Sequence, residues 1–107
     1  MKENEIAAEL AKAPLWKLEG DRGAAFYPSP GASAPRAILR LFQFSNFLES
    51  VRFVNAIAEA AEKADHHPDI LIQYSKVTLR LSTHDCNGLS SRDFALARVA
   101  DELASRC

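Results

Sequence analysis

Pro68-Asp69-Ile70-Leu71-Ile72-Gln73-Tyr74-Ser75-Lys76-Val77-Thr78-Leu79-Arg80-Leu81-Ser82 is the stretch on which the fold turns. Ile70, Ile72 and Tyr74 alternate with Asp69, Leu71 and Gln73, and Val77, Leu79 and Leu81 alternate with Thr78, Arg80 and Ser82. A period of two is the signature of a strand, because successive side chains leave opposite faces of an extended chain. The short polar Ser75-Lys76 between the two runs predicts a two-residue turn, and with it an antiparallel hairpin. Such a turn sets Tyr74 opposite Val77, Ile70 opposite Leu81 and His67 opposite His84, with cross-strand Cβ atoms about 5 Å apart. A register one residue different brings His66 opposite His84 instead.

Working outward, Ser45 or Asn46 caps a helix, and Asn46 has Glu49 three residues on, the reciprocal capping pattern. Phe47, Val51, Val54, Ala58 and Ala61 follow at spacings of three and four with Ile57 beside them, which predicts a core-facing stripe on a helix of about 18 residues. Pro68 disfavours helical geometry at His67, so this helix stops near Asp65. Residues 3–12 place Ile6 and Leu10 four apart among good helix formers, and Trp16-Lys17-Leu18-Glu19 alternates as a short strand before Gly20. Residues 20–36 hold all but one of the glycines and three of the five prolines, and form a long loop. Residues 37–44 are a second strand. After Gly88, Ser90-Ser91-Arg92-Asp93 offers a capping box into a last helix with Leu96, Val99, Ala100 and Leu103 on one stripe. The order α-β-β-α-β-β-α predicts an α+β fold: a four-stranded antiparallel sheet with three helices packed on one face.

The 107 residues are taken as a single domain, 1–107. Hydrophobic residues at 48% and charged residues at 25% are globular proportions, which excludes a disordered or fibrous chain. A formal charge of −1 supplies no positive field for a phosphate backbone, so nucleic-acid binding is not expected. No apolar run approaches the roughly 18 residues of a membrane span, and the charged start Met1-Lys2-Glu3-Asn4-Glu5 has no apolar stretch behind it. With only Cys86 and Cys107, a disulfide scaffold is ruled out and a reducing, cytoplasmic setting is expected.

All three histidines, His66, His67 and His84, fall around the hairpin, with Glu62, Asp65, Thr83, Asp85, Cys86 and Asp93 nearby in the chain. Histidine exchanges protons near neutrality, its unperturbed pKa being about 6.5, so three of them beside carboxylates suggest acid/base chemistry. Against this stands the plain reading of structural or solvent-exposed histidines. A zinc site built from His66, His67, His84 and Cys86 is a rival, weakened because adjacent histidines on an extended segment point apart and no second cysteine closes a tetrahedron. Cys86 as a nucleophile rests on proximity to histidine alone. Phe42, Phe44, Phe47 and Phe53 read as core rather than as a ligand-stacking box.

The run from His66-His67-Pro68-Asp69 through Tyr74-Ser75-Lys76-Val77, then Leu79-Arg80-Leu81-Ser82-Thr83-His84, then Gly88-Leu89-Ser90-Ser91-Arg92-Asp93, resembles the pterin-4a-carbinolamine dehydratases without a gap. The resemblance continues upstream through Ile38, Arg40, Phe42, Phe44, Phe47 and Phe53 to Trp16. It implies dehydration of 4a-hydroxytetrahydropterin to the quinonoid dihydropterin, in recycling of a tetrahydrobiopterin-type hydroxylase cofactor. It places the family's active-site histidines on His66, His67 and His84, with His66 and His84 as the acid/base pair and His67 orienting the substrate. Glu62, Thr83 and Asp93 fall on positions that line or support the pterin site. No metal and no organic cofactor is implied, since the pterin is substrate, and dimers paired by edge strands that associate into a tetramer are expected. Ile70 stands where animal members commonly carry tryptophan, and the 20–36 loop is about a dozen residues longer than the usual connection. Animal members also serve as dimerisation cofactors of a homeodomain transcription factor, a role nothing in this sequence supports. The alternative of another class is a non-catalytic binding or scaffold protein on the same fold.

Overall fold

The computed structural model describes residues 2–19, 37–83 and 88–106. In chain order the elements are α1 (Glu3–Lys12), β1 (Lys17–Leu18), β2 (Ile38–Gln43), α2 (Phe47–Ala64), β3 (Asp69–Gln73), β4 (Lys76–Leu81) and α3 (Ser91–Ser105). The expected order and the α+β class are both present. The strands form one antiparallel sheet in the order β1-β2-β4-β3. The long loop 20–36 lies outside the described residues.

Register explains which side chains the helices cover. Ile38 pairs with Leu81, Phe42 with Val77, and Ile70 with Leu79, so these six share a face. On that face they meet Ile6 of α1, Phe53, Ile57 and Ala61 of α2, and Phe94, Leu96, Ala97 and Ala100 of α3 in one buried cluster. Phe42 sits at its centre, its ring centroid 4.7 Å from that of Phe53 and 5.9 Å, edge-on, from that of Trp16. The indole N–H of Trp16 donates to Asp101 Oδ1 at 2.8 Å, and Arg40 donates to the same carboxylate, which ties α3 to the first two strands. On β4, buried Arg80 donates to both Glu19 oxygens at 3.0 and 3.1 Å and to Asp69 Oδ2 at 3.1 Å, clasping the segment after β1 and the first residue of β3.

Three expectations are corrected. The hairpin turn is Tyr74-Ser75 rather than Ser75-Lys76, so Gln73 pairs with Lys76, Ile72 with Val77 and Ile70 with Leu79. Tyr74 takes the left-handed conformation, φ 56°, that such a turn demands. On α2 the core face consists of Ser50, Phe53, Ile57 and Ala61, whereas Phe47 is 53% exposed and Ala58 also faces out. The helix carries two apolar stripes side by side, and the one holding the larger Phe53 and Ile57 is buried. Ser50 fits because its hydroxyl donates to the Asn46 carbonyl at 3.2 Å. On α3, Leu96 and Ala100 are buried as expected, but Phe94 and Ala97 join them while Val99 is 38% exposed.

Candidate active site

The end of α2 delivers the first two histidines. Asn46 caps its start, accepting from the Glu49 N–H at 2.9 Å, and Asp65 ends it in the left-handed region, φ 50°. The Asp65 N–H then bonds to the Glu62 carbonyl and the His66 N–H to the Ala61 carbonyl, a Schellman-type closure that turns the chain sharply. From that turn His66 buries its ring while His67 stays half outside.

α3 supplies the partner. Ser90 and Asp93 form the capping box expected from the sequence, the Ser90 N–H donating to Asp93 Oδ2 at 2.9 Å. The Asp93 carboxylate is fully buried and does more than cap. His66 Nε2–H donates to Oδ1 at 2.6 Å, and the Thr83 hydroxyl donates to Oδ2 at 2.7 Å. Thr83 has one hydroxyl proton, so at 2.7 Å the Ser90 hydroxyl is the donor to Thr83 Oγ1. A carboxylate offers lone pairs only, which places a proton on His66 Nε2, so the neutral ring carries its lone pair on Nδ1. Thr83 is itself pinned by paired backbone bonds with Gly88, 2.6 and 3.1 Å.

A cleft of about 370 Å³ opens over this network, lined by Asp65, His66, His67, Ser82, Thr83 and Arg92 among others. His67 Nε2 meets Glu62 Oε1 at 2.6 Å in a well-exposed pair. A larger cleft of about 630 Å³ lies at the far end, near Arg40, Glu49 and Asp101, but there Arg40 and Asp101 bond to each other, and among the described residues no histidine lines it. The smaller cleft is therefore the candidate site. Among the described residues no group of three His, Cys, Asp or Glu side chains could hold a metal ion, and no helix is long and apolar enough to cross a membrane.

Of the expected site residues, His66, Thr83 and Asp93 come together in one hydrogen-bonded network, and His67 pairs with Glu62 apart from it. Asp93 has no exposed surface, so it acts on the cleft through His66. His84, with Asp85 and Cys86, lies outside the described residues. The expected facing of His67 and His84 was argued from the Ser75-Lys76 turn, which the register replaces, and the facing itself falls outside the described residues. The sequence reading passed over Arg92 and Ser82 as site residues, although Arg92 directly precedes Asp93 at a helix start.

The comparisons with known proteins bear on the family and the fold. The chain matches the family described as pterin 4 alpha carbinolamine dehydratase over residues 1–103. A provisionally named pterin-4-alpha-carbinolamine dehydratase of Picosynechococcus sp. is 43% identical over 101 residues, covering 94% of each chain. One from Thermomicrobium roseum is 44% identical over 100 residues, covering 94% of this chain and 91% of its own. The crystal structure of a transcriptional coactivator/pterin dehydratase from Brucella melitensis superposes with a TM-score of 0.80 at 30% identity over 97% of both chains. A pterin dehydratase-like protein identified as a RuBisCO assembly factor in the alpha-carboxysome shares the fold, with a TM-score of 0.61 at 21% identity over 83% of this chain and 88% of its own. The chain thus belongs to the pterin 4 alpha carbinolamine dehydratase family.

Proposed function

We propose that the chain catalyses loss of water from 4a-hydroxytetrahydropterin to give the quinonoid dihydropterin, by proton transfer between histidines and substrate. The observation that carries this reading is His66, held on the wall of the cleft by a buried carboxylate with its proton fixed on Nε2. The reaction breaks one C–O bond. The 4a-hydroxyl leaves as water once a general acid protonates it, and a base removes a proton from a ring nitrogen. In the neutral ring Nδ1 of His66 is free to act as the base, and the imidazolium formed faces the Asp93 carboxylate. His84 is the acid, and the His67–Glu62 pair orients the ring from the rim. The protein works as a homodimer or homotetramer with no cofactor, the pterin being its substrate.

Stopped-flow measurement of 4a-hydroxytetrahydropterin breakdown tests the reading. The protein should accelerate it well above buffer, and His84→Ala or His66→Ala should each lower the rate by about 10²- to 10⁴-fold. The double variant should be little worse than either single one, since groups acting as a unit are not additive. His67→Ala should raise KM more than it lowers kcat. No acceleration by the wild type would sink the proposal in favour of a non-catalytic scaffold.

A further inference from the structure

We infer that Arg92 is a specificity-determining residue of this cleft, donating to the carbonyl oxygen at C4 of the pterin ring; the inference rests on the function proposed above. Arg92 is in the first turn of α3, one residue before Asp93, so the two side chains leave the helix in different directions. Asp93 turns inward to His66, and Arg92 stays exposed. Arg92 and His66 both line the cleft of about 370 Å³, and both also border a small apolar cavity of about 140 Å³ between α2 and α3. They are therefore neighbours on one wall.

The chemistry of the lining assigns the rest. Asp65, Asp69, Ser82 and Thr83 bring oxygens that can accept hydrogen bonds, and these suit the N–H groups of the pterin, at N3, N8 and the 2-amino substituent. Arg92 is the one lining side chain among the described residues that is always charged and only donates. Its match on the substrate is an acceptor. Carbon C4 is bonded to C4a, the carbon that loses its hydroxyl, so its carbonyl oxygen lies next to the reacting atom. A donor beside His66 that grips this oxygen brings the departing hydroxyl and the ring nitrogens within reach of the histidine. A pteridine with an amino group at C4 turns N–H toward N–H at the same place and is rejected.

The test is equilibrium binding of two probes, 7,8-dihydrobiopterin and its 4-amino counterpart, to wild type, Arg92→Gln and Arg92→Lys, read by fluorescence, with thermal melts as a check on folding. Wild type should prefer the 4-oxo probe by about 10- to 100-fold. Arg92→Gln, which offers a carbonyl as well as an amide, should lose or reverse the preference, and Arg92→Lys should keep part of it. KM for the carbinolamine should rise more than kcat falls in both variants. A wild type that accelerates the reaction, with an Arg92→Gln variant showing the same 4-oxo preference, overturns the inference and leaves the function standing. A wild type that binds neither probe and accelerates nothing overturns both.

Discussion

At the scale of single residues, Asp93 carries two duties with one carboxylate: it completes the capping box of α3 and it receives Nε2–H of His66. Asp93→Asn separates them. The amide keeps the shape, but one of its two positions becomes a donor, facing either His66 Nε2–H or the Thr83 and Ser90 donors. Turnover should fall by about 10²- to 10⁴-fold, as a displaced tautomer costs more than a lost contact. The weakened cap should cost about 0.5–2 kcal/mol, or a few degrees in Tm by calorimetry. Wild-type turnover in the Asp93→Asn variant would show that the histidine does not depend on this carboxylate. The residues of the network were legible in the sequence, each on its own. Their joining was not, because His66 and Asp93 stand 27 positions apart at the ends of different helices, and only the packing of α2 on α3 brings them within bonding distance.

At the scale of elements, the hairpin was legible as a hairpin but not in its turn. None of Tyr74, Ser75 and Lys76 is the glycine or asparagine that marks a tight turn, so nothing local distinguishes Tyr74-Ser75 from Ser75-Lys76. Moving the turn back by one residue shifts each pairing by two. An even shift keeps every side chain on its own face, which is why Val77, Leu79 and Leu81 are buried as their alternation required. The helix α2 was harder, since its two adjacent apolar stripes satisfy the same spacing and only bulk decides between them. The turn makes its own prediction. Tyr74 is 69% exposed and left-handed, a conformation asparagine adopts at less cost. Tyr74→Asn should raise stability by about 0.5–1 kcal/mol, seen as a Tm higher by a few degrees. An unchanged or lower Tm would mean that contacts of the phenol ring outweigh the backbone strain.

At the scale of the whole molecule, β3 ends the sheet, and Leu15, Phe47 and Leu48 are each more than half exposed. Light scattering should return a mass that is two or four times the 11.8 kDa of the chain, and a monomer across the working concentration range contradicts the proposed assembly. The sheet also ties both of its margins to one residue. β1 contributes two ladder residues, Lys17 and Leu18, and by itself would open and close freely. Arg80 sits between the margins and grips Glu19 just past one of them and Asp69 on the other. Amide hydrogens of the two outer strands should therefore exchange with solvent in step in a native-state exchange experiment, because releasing either margin strips a partner from the same buried cation, and independent exchange would contradict this coupling.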